Sequence, residues 1–165
     1  MKPALLASGN SHSKKTAGQP YLRVRLNPQT LAIFSLRHLQ EAVVIPVQKL
    51  TPMPNLPPVL LGLINRRSRV LWAIDLPQLL QFPSSAFKAQ QYNTVIVRVG
   101  GITAGLVVPE IEGMVRLTNE RLEPLPSTAN IQLSSYVRGC VRQNLEPLWV
   151  LDVAAILQSS LLQNY

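Results

Sequence analysis

The sequence predicts a mainly β protein built from two small β-barrels that pack together. The first observation is a series of about ten short runs rich in Val, Ile and Leu, separated by turn signals. The second observation is a hairpin motif that occurs twice along the chain. Each half has about 70 residues, a size that is marginal for independent stability, so we expect the halves to share one apolar core.

Composition narrows the class of protein. The chain has 165 residues, of which 47% are hydrophobic, and this fraction is ample for a packed core. Fourteen prolines and the many short β-rich runs argue against a helical bundle. Cys140 is the only cysteine, so the sequence offers no disulfide framework and favours a reducing, intracellular setting. We expect neither a signal peptide nor a membrane span, because no apolar run is long enough.

The repeated motif occupies Gly62–Leu80 and Gly139–Leu157, which align without a gap. Each copy is typical of a strand, a polar turn, a second strand and a capped helix. Both copies carry a Leu-Trp pair, although the chain holds only two Trp. Asp75 and Asp152 follow the second strand, where a carboxylate can accept hydrogen bonds from the first turn of a helix. We predict structural roles for these two residues and for the paired glycines Gly62 and Gly139.

The other elements follow from alternation and turn signals. Residues 1–19 are rich in Ser, Lys, Gly and Asn and predict a disordered tail. Asp152–Leu162 carries an apolar stripe and predicts a C-terminal helix over 152–162. We expect one domain over 20–160, made of two intertwined barrels over approximately 20–90 and 91–150. Outside the motif, strands are predicted at Tyr21–Leu26, Thr30–Leu36, Glu41–Leu50, Tyr92–Val99, Ile102–Val108 and Ile111–Leu117.

The sequence lacks the motifs of catalysis and metal binding. Outside the tail its only histidine is His38, and it has no Gly-x-Ser-x-Gly elbow, no P-loop and no cluster with metal-ligand spacing. Glu110 and Glu112 lie two apart in a predicted strand, a spacing that suits a carboxylate pair, but a solvated strand face explains them better. We therefore expect no enzymatic activity, no metal and no cofactor. An enzyme with an unrecognised site is the weakest alternative, and a deep polar pocket would favour it.

A basic turn is the strongest candidate for a binding surface. Arg66, Arg67 and Arg69 crowd the turn of the first motif copy. Arg is favoured in interfaces because its planar guanidinium can hold a carboxylate with two hydrogen bonds. The alternative is an exposed basic turn that binds nothing.

These residues resemble the CheW family, the coupling proteins of bacterial chemosensory arrays. That family carries a Gly-x-x-Asn-Leu-Arg-Gly turn, then an apolar strand and an Asp-Leu pair. The resemblance covers nearly all of residues 20–160. The matching positions are Gly62, Asn65, Arg67, Asp75 and Leu76, with Glu41 after Leu39, the Thr51–Pro52–x–Pro54 loop, the hairpin Tyr92–Val108 and the C-terminal pattern Gly139, Leu151–Asp152 and Ile156–Leu157.

The chain departs from the family pattern at three positions. Arg66 replaces the usual Leu of the turn, Ser68 replaces its Gly, and Pro109 stands where the family often has Asp. A Gly at position 68 would adopt positive φ at little cost, so its loss predicts a change in the turn. Arg66 makes the turn more basic, and we expect partner choice to differ from that of better-known members.

The resemblance implies a fold of two SH3-like five-stranded β-barrels around a shared hydrophobic core, with short helices and a C-terminal helix. It implies a non-catalytic adaptor that couples the cytoplasmic tip of methyl-accepting chemoreceptors to the regulatory domain of a CheA-type histidine kinase. The partner-binding residues carried over from the family positions are Arg67, Asn65 and Glu41, with Arg66 beside them. A cytoplasmic protein is implied, recruited to receptor arrays without membrane insertion and without nucleic acid.

The net charge of +8 keeps one alternative open, a basic β-barrel protein that binds nucleic acid. Against it, the basic residues are spread along the chain and no aromatic residues are interleaved with them. Such a protein would show an affinity that falls steeply with salt.

Overall fold

Strands form where apolar and polar residues alternate, as in β1 (Gln19–Asn27). Its residues Leu22, Val24 and Leu26 are buried, whereas Arg23 and Arg25 between them are partly exposed. The computed structural model describes residues 18–118, 122–125 and 131–163. Most of the predicted tail therefore lies outside the described residues, and Gln19, which was assigned to that tail, already belongs to β1.

The described elements are mostly strands joined by short turns. The other strands are β2 (Thr30–Ser35), β3 (Leu39–Pro46), β4 (Leu50–Thr51), β5 (Leu60–Arg66), β6 (Arg69–Asp75), β7 (Gln91–Val99), β8 (Ile102–Val108), β9 (Glu110–Leu117), β10 (Val137–Gln143) and β11 (Glu146–Leu151). The helices are α1 (Leu76–Leu79), α2 (Val153–Leu157) and α3 (Ser160–Gln163), with 3-10 turns at Leu36–His38, Val47–Lys49, Ala86–Lys88 and Ile131–Ser135.

The strands form two sheets, which confirms the predicted mainly β fold class. Sheet A has the order β10-β11-β2-β1-β9, and sheet B has the order β3-β7-β8-β6-β5-β4. Sheet B has six strands rather than the predicted five, because the two residues of β4 pair with β5. The hairpin β1–β2 lies in the sheet of the second half of the chain, and β7–β8 lies in that of the first half. The boundary between the sheets is therefore not the predicted boundary near residue 90, because the halves exchange hairpins.

The repeat in sequence is also a repeat in structure. Gly62 pairs with Ala73 in the hairpin β5–β6, and Gly139 pairs with Val150 at the equivalent place in β10–β11. The second strand of each hairpin then runs parallel to a strand contributed by the other half, β6 beside β8 and β11 beside β2. The two sheets thus have the same construction. Each half of the chain contributes one hairpin to the sheet of the other half.

Three apolar clusters hold the sheets. The largest lies between them and includes Val24 and Phe34 of sheet A, Val95 and Leu106 of sheet B, and Ile156 of α2, all fully buried. Two smaller clusters are each confined mainly to one sheet, with Ile45, Ile64 and Ile96 in sheet B and Leu31, Ile33 and Leu148 in sheet A. The shared core expected from the small size of each half is therefore present.

The prediction of one continuous C-terminal helix over 152–162 is wrong. It is two short helices, α2 and α3, that meet at Ser159. The hydroxyl of this buried serine accepts a hydrogen bond from the Leu161 N–H and shares another with the Tyr136 hydroxyl, 2.8 Å away. The Ser159 hydroxyl thus takes a backbone N–H that would donate to a backbone carbonyl in a continuous helix.

No helix among the described residues has the length and apolar character needed to span a membrane.

Candidate partner-binding site

The basic turn is a two-residue hairpin loop between β5 and β6. Arg66 pairs with Arg69 across the hairpin, and Arg67 and Ser68 between them have φ of 53° and 64°. Two successive positive φ values are typical of the type I′ turn, whose twist matches that of the strands. Ser68 thus holds a left-handed conformation at the position where the CheW resemblance led us to expect Gly.

Glu41 contacts this turn from a distant place in sheet B. The Nε of Arg66 donates to Glu41 Oε2 at 3.0 Å, and Arg66 Nη2 donates to Oε1. Their strands, β3 and β5, are first and fifth in the sheet, so about 19 Å would separate them if the sheet were flat. The contact therefore requires sheet B to curl so that its first and fifth strands approach each other.

Arg67 approaches the same carboxylate less closely. Its Nε and Nη2 lie 3.4 Å and 3.5 Å from Glu41 Oε2 and Oε1. Hydrogen bonds from Arg66, and secondarily from Arg67, lower the pKa of the Glu41 carboxyl from 4.5 to about 2. The hydrogen bond with Glu41 in turn raises the pKa of Arg66. Glu41 is therefore an ionised acceptor at neutral pH, shared unequally by two arginines.

The outer part of the site is exposed and positively charged. The Arg67 side chain is 78% exposed, whereas those of Arg66 and Glu41 are 35% and 19% exposed. Arg69 is also exposed and makes no salt bridge to a described carboxylate. Three positive charges against one negative charge leave the turn with a net charge of +2. We refer to Glu41, Arg66, Arg67 and Arg69 as the arginine tip.

The structure brings together three of the four predicted partner-binding residues, Glu41, Arg66 and Arg67. The fourth, Asn65, is exposed and lies one position before Arg66 in β5. Side chains alternate between the faces of a strand, so the Asn65 side chain is directed away from the contact with Glu41.

The equivalent hairpin tip in sheet A was not singled out from the sequence. Asn144 and Leu145 have φ of 51° and 67°, the same backbone as Arg67 and Ser68. Leu145 is 90% exposed. Its positive φ is also unusual, because bulky side chains rarely adopt this conformation. The signal was available, because Leu145 follows the repeat at the position of Ser68. Glu146 is the only charged residue of this turn, between Gln143 and Pro147, so this tip lacks the basic character of the first.

The four residues predicted to be structural lie at close backbone contacts and at helix N-caps of the repeated motif. An added Cβ on Gly62 would lie 2.4 Å from the Thr51 carbonyl oxygen, and one on Gly139 would lie 2.5 Å from that of Glu123. Asp75 accepts from the Gln78 N–H at 3.4 Å, and Asp152 accepts from the Ala155 N–H at 3.0 Å. Both carboxylates thus occupy helix N-caps, at α1 and α2 respectively.

The two aspartates differ in their surroundings. Asp75 is 3% exposed and accepts a hydrogen bond from the Ser84 hydroxyl. Burial raises the pKa of the Asp75 carboxyl, against the opposing effect of that hydrogen bond. Asp152 is more exposed and lies 3.6 Å from Arg138.

Other titratable residues form structural contacts. Glu112 accepts from Arg25 Nε at 2.7 Å and lies 3.4 Å from Arg23, and its side chain is 16% exposed. The predicted solvated strand face is therefore wrong for Glu112.

His38 lines a cavity of about 180 Å³ whose lining residues include no carboxylate. Among the described residues, no group of three or more His, Cys, Asp or Glu has the geometry to hold a metal ion.

Comparison with known proteins identifies relatives of the whole fold. The chain is 25% identical over 124 residues to the chemotaxis protein CheW of Treponema pallidum, covering 73% of each chain. It is 26% identical over 155 residues to the chemotaxis protein CheW of Klebsiella aerogenes, covering 93% of this chain and 90% of that protein. The crystal structure of the scaffolding protein TtCheW from Thermoanaerobacter tengcongensis matches with a TM-score of 0.68 at 20% identity, over 82% of this chain and 89% of that one.

The match to TtCheW confirms the predicted fold of two curled, SH3-like sheets. The family model of the CheW-like domain matches residues 20–161, which is most of the chain. CheW-like proteins are non-enzymatic scaffolds, so this match also confirms the prediction that the protein is not an enzyme. The resemblance read from the turn, the loop and the repeated hairpins is confirmed as well, and the chain belongs to the CheW-like domain family.

Proposed function

We propose that this protein is a cytoplasmic adaptor that couples the tips of chemoreceptors to the regulatory domain of a CheA-type histidine kinase. The observation that carries the proposal is the CheW-like domain match over residues 20–161. Relatives that cover most of the chain are chemotaxis proteins named CheW, which supports a role in a chemosensory or motility pathway. The adaptor reaches receptor arrays through its protein partners and does not insert into the membrane.

The arginine tip is the proposed partner-binding site, with Asn65 beside it. Arg67 supports this assignment best, because it is 78% exposed and only weakly held by Glu41. Arg66 and Glu41 contribute by fixing the position of the turn relative to β3. The site is built on a hairpin and a strand of the curled sheet, so its geometry is set before a partner arrives.

A co-sedimentation assay tests coupling directly. A cytoplasmic receptor fragment is displayed on vesicles and sedimented with the kinase regulatory domain, in the presence or absence of the adaptor. We expect the kinase domain to sediment only when the adaptor is present, and Arg67→Glu to reduce the sedimented fraction because reversal of an interface charge is costly. Sedimentation that is independent of the adaptor would contradict the proposal.

Arg142→Glu is the matched control. Arg142 lies in β10, in the equivalent hairpin of sheet A, and its side chain is 56% exposed beside Glu123. The variant has the same change of charge as Arg67→Glu, and we expect it to sustain coupling. Equal losses in both variants would remove the arginine tip from the proposed site and indicate a dependence on overall charge.

Nucleic-acid binding is the second candidate function, and the net charge of +8 favours it. Its distinguishing property is an affinity for a random DNA duplex that falls steeply with salt. An adaptor would show saturable binding to the kinase domain and no comparable affinity for the duplex.

A further inference from the structure

Sheet A holds two adjoining cavities, neither of which is lined by a residue of the arginine tip. The first has a volume of about 180 Å³ and lies where the 3-10 turn Leu36–His38 approaches the start of β1. The second has a volume of about 250 Å³ and lies beside the apolar cluster of sheet A. The two cavities adjoin, because they share the lining residues Gln19, Tyr21, Arg138 and Val150.

The first cavity is basic. Arg37, His38 and Arg138 line it, and none of its lining residues is Asp or Glu. The Ser35 hydroxyl accepts from the Arg37 N–H at 3.1 Å, and this bond holds the turn that carries Arg37 and His38. Among the described residues, Arg37 has no carboxylate within salt-bridge distance, and Arg138 has only Asp152, at 3.6 Å. The first cavity therefore carries unbalanced positive charge, which favours an anion.

The second cavity is mainly apolar. Its lining includes Ile33 and Val141 of the apolar cluster of sheet A, and also Leu122, which is 50% exposed. An apolar cavity of about 150 Å³ is large enough to bind benzene, so a cavity of about 250 Å³ accommodates a short alkyl chain. Burial of such a chain is favourable because it removes apolar surface from water.

Arg138 lines both cavities because it lies at a β-bulge. The pairing of β10 with β11 shifts between Val137 and Gly139, so Arg138 is the extra residue of β10. A bulge changes the direction of a side chain relative to regular alternation. The equivalent bulge residue of sheet B is Leu61 in β5, which packs against the apolar cluster of that sheet. Sheet A thus has a guanidinium at a position that sheet B fills with an apolar side chain.

From the adjoining basic and apolar cavities, we infer that sheet A binds a small amphipathic carboxylate. Arg37 and Arg138 bind its carboxylate, because a guanidinium can donate two parallel hydrogen bonds to this group. His38 supplies a further N–H donor. The contact of Arg138 with Asp152 is too long for a hydrogen bond, so the Arg138 donors are available to the ligand. The alkyl chain of the ligand lies in the second cavity.

NMR titration of the isotope-labelled full chain with octanoate tests this inference. We expect saturable changes in the amide shifts of the turn Leu36–His38, Arg138 and Val150. Butyrate has the same charge and four fewer methylenes, and each methylene that leaves water strengthens binding up to about fourfold. Butyrate should therefore bind at least tenfold more weakly than octanoate. Octanol, which lacks the charge, should also bind at least tenfold more weakly, because the charge-assisted hydrogen bonds are lost.

Two variants test the basic residues separately from the alkyl chain. Arg138→Gln and Arg37→Gln should each weaken octanoate binding about tenfold. Arg142→Gln is the matched control, because it removes the same charge from the same strand at a residue that lines neither cavity. The Arg142 side chain is 56% exposed and lies 3.4 Å from Glu123, much as that of Arg138 is 61% exposed beside its own carboxylate. This variant should bind octanoate as the wild type does, and urea unfolding verifies that all three variants are folded.

The absence of saturable shifts with octanoate would overturn the inference, and so would equal affinities for octanoate and octanol. An affinity of Arg138→Gln equal to that of Arg142→Gln would also overturn it, because binding would then follow net charge alone. The titration contains neither kinase nor receptor, so none of these outcomes changes the adaptor proposal.

Discussion

Replacement of Gly139 or Gly62 by Ala should destabilise the protein strongly. Gly139 has φ of 155°, and its new methyl group would lie 2.5 Å from the Glu123 carbonyl oxygen, far inside ordinary contact. Gly62 has φ of 146° and meets the Thr51 carbonyl at 2.4 Å. Unfavourable φ costs about 1–2 kcal/mol and overpacking about 1–3 kcal/mol, offset by about 0.4–1 kcal/mol from the stiffer unfolded chain. The expected net loss in free energy of unfolding is about 3 kcal/mol for each variant.

Urea unfolding followed by tryptophan fluorescence measures this loss, since each repeated hairpin carries one tryptophan, Trp72 or Trp149. Gly101→Ala is the control, because an added Cβ there meets no atom within 4 Å and its φ is not positive. We expect Gly101→Ala to stay within about 0.5 kcal/mol of the wild type. A comparably small effect of Gly139→Ala would refute the reasoning that the close carbonyl dictates glycine.

Two further predictions concern the hairpin tip and Glu41. Leu145→Gly should raise the free energy of unfolding by about 0.5–1 kcal/mol, because it relieves a left-handed residue that is already exposed; a loss of stability in urea would contradict a strained tip. Glu41→Gln should destabilise at neutral pH. The folded-state pKa of Glu41 lies below its ordinary value, so its contribution is full above pH 4.5 and is lost as the pH falls towards 2. The difference in stability between wild type and Glu41→Gln should therefore shrink over that interval, and a constant difference would show that Arg66 does not act through the ionised carboxylate.

The repeated hairpins were predictable because their determinants are local. The alternation of apolar residues, the two glycines and the two N-cap aspartates lie within short stretches, and the equal spacing of Gly62–Asp75 and Gly139–Asp152 indicated the same fold for both. The break at Ser159 was not predicted, because the apolar stripe continues across it. The hydrogen bond between the hydroxyls of Ser159 and Tyr136, which is distant along the chain, favours the end of α2 there.

The exchange of hairpins between sheets could not be read from the sequence. Placement of β1–β2 beside β11 depends on parallel pairing between residues more than a hundred positions apart, such as Leu31 and Leu148. The apolar pattern of a strand specifies which face is buried, but it does not specify which strands pair with it. A division of the chain at residue 90 therefore fits the sequence equally well.

The residues of the arginine tip were predicted in part, but the hydrogen bonds between them were not. Family positions pointed to Glu41 and Arg67, and the crowding of arginines pointed to the turn. That Arg66 binds Glu41 more closely than Arg67 does depends on the curl of sheet B, which brings its first and fifth strands together. Leu145 was overlooked because exposed leucines are common, although the repeat already placed it at the turn position that corresponds to Ser68.

The most direct test of the adaptor role is calorimetric titration of the wild-type protein with the regulatory domain of a CheA-type kinase from the same organism. A parallel titration with a random DNA duplex at two salt concentrations controls for its positive charge. We predict saturable binding to the kinase domain and no comparable heat with DNA. No heat with the kinase domain, together with salt-sensitive binding to DNA, would contradict the adaptor role and favour nucleic-acid binding on a CheW-like fold.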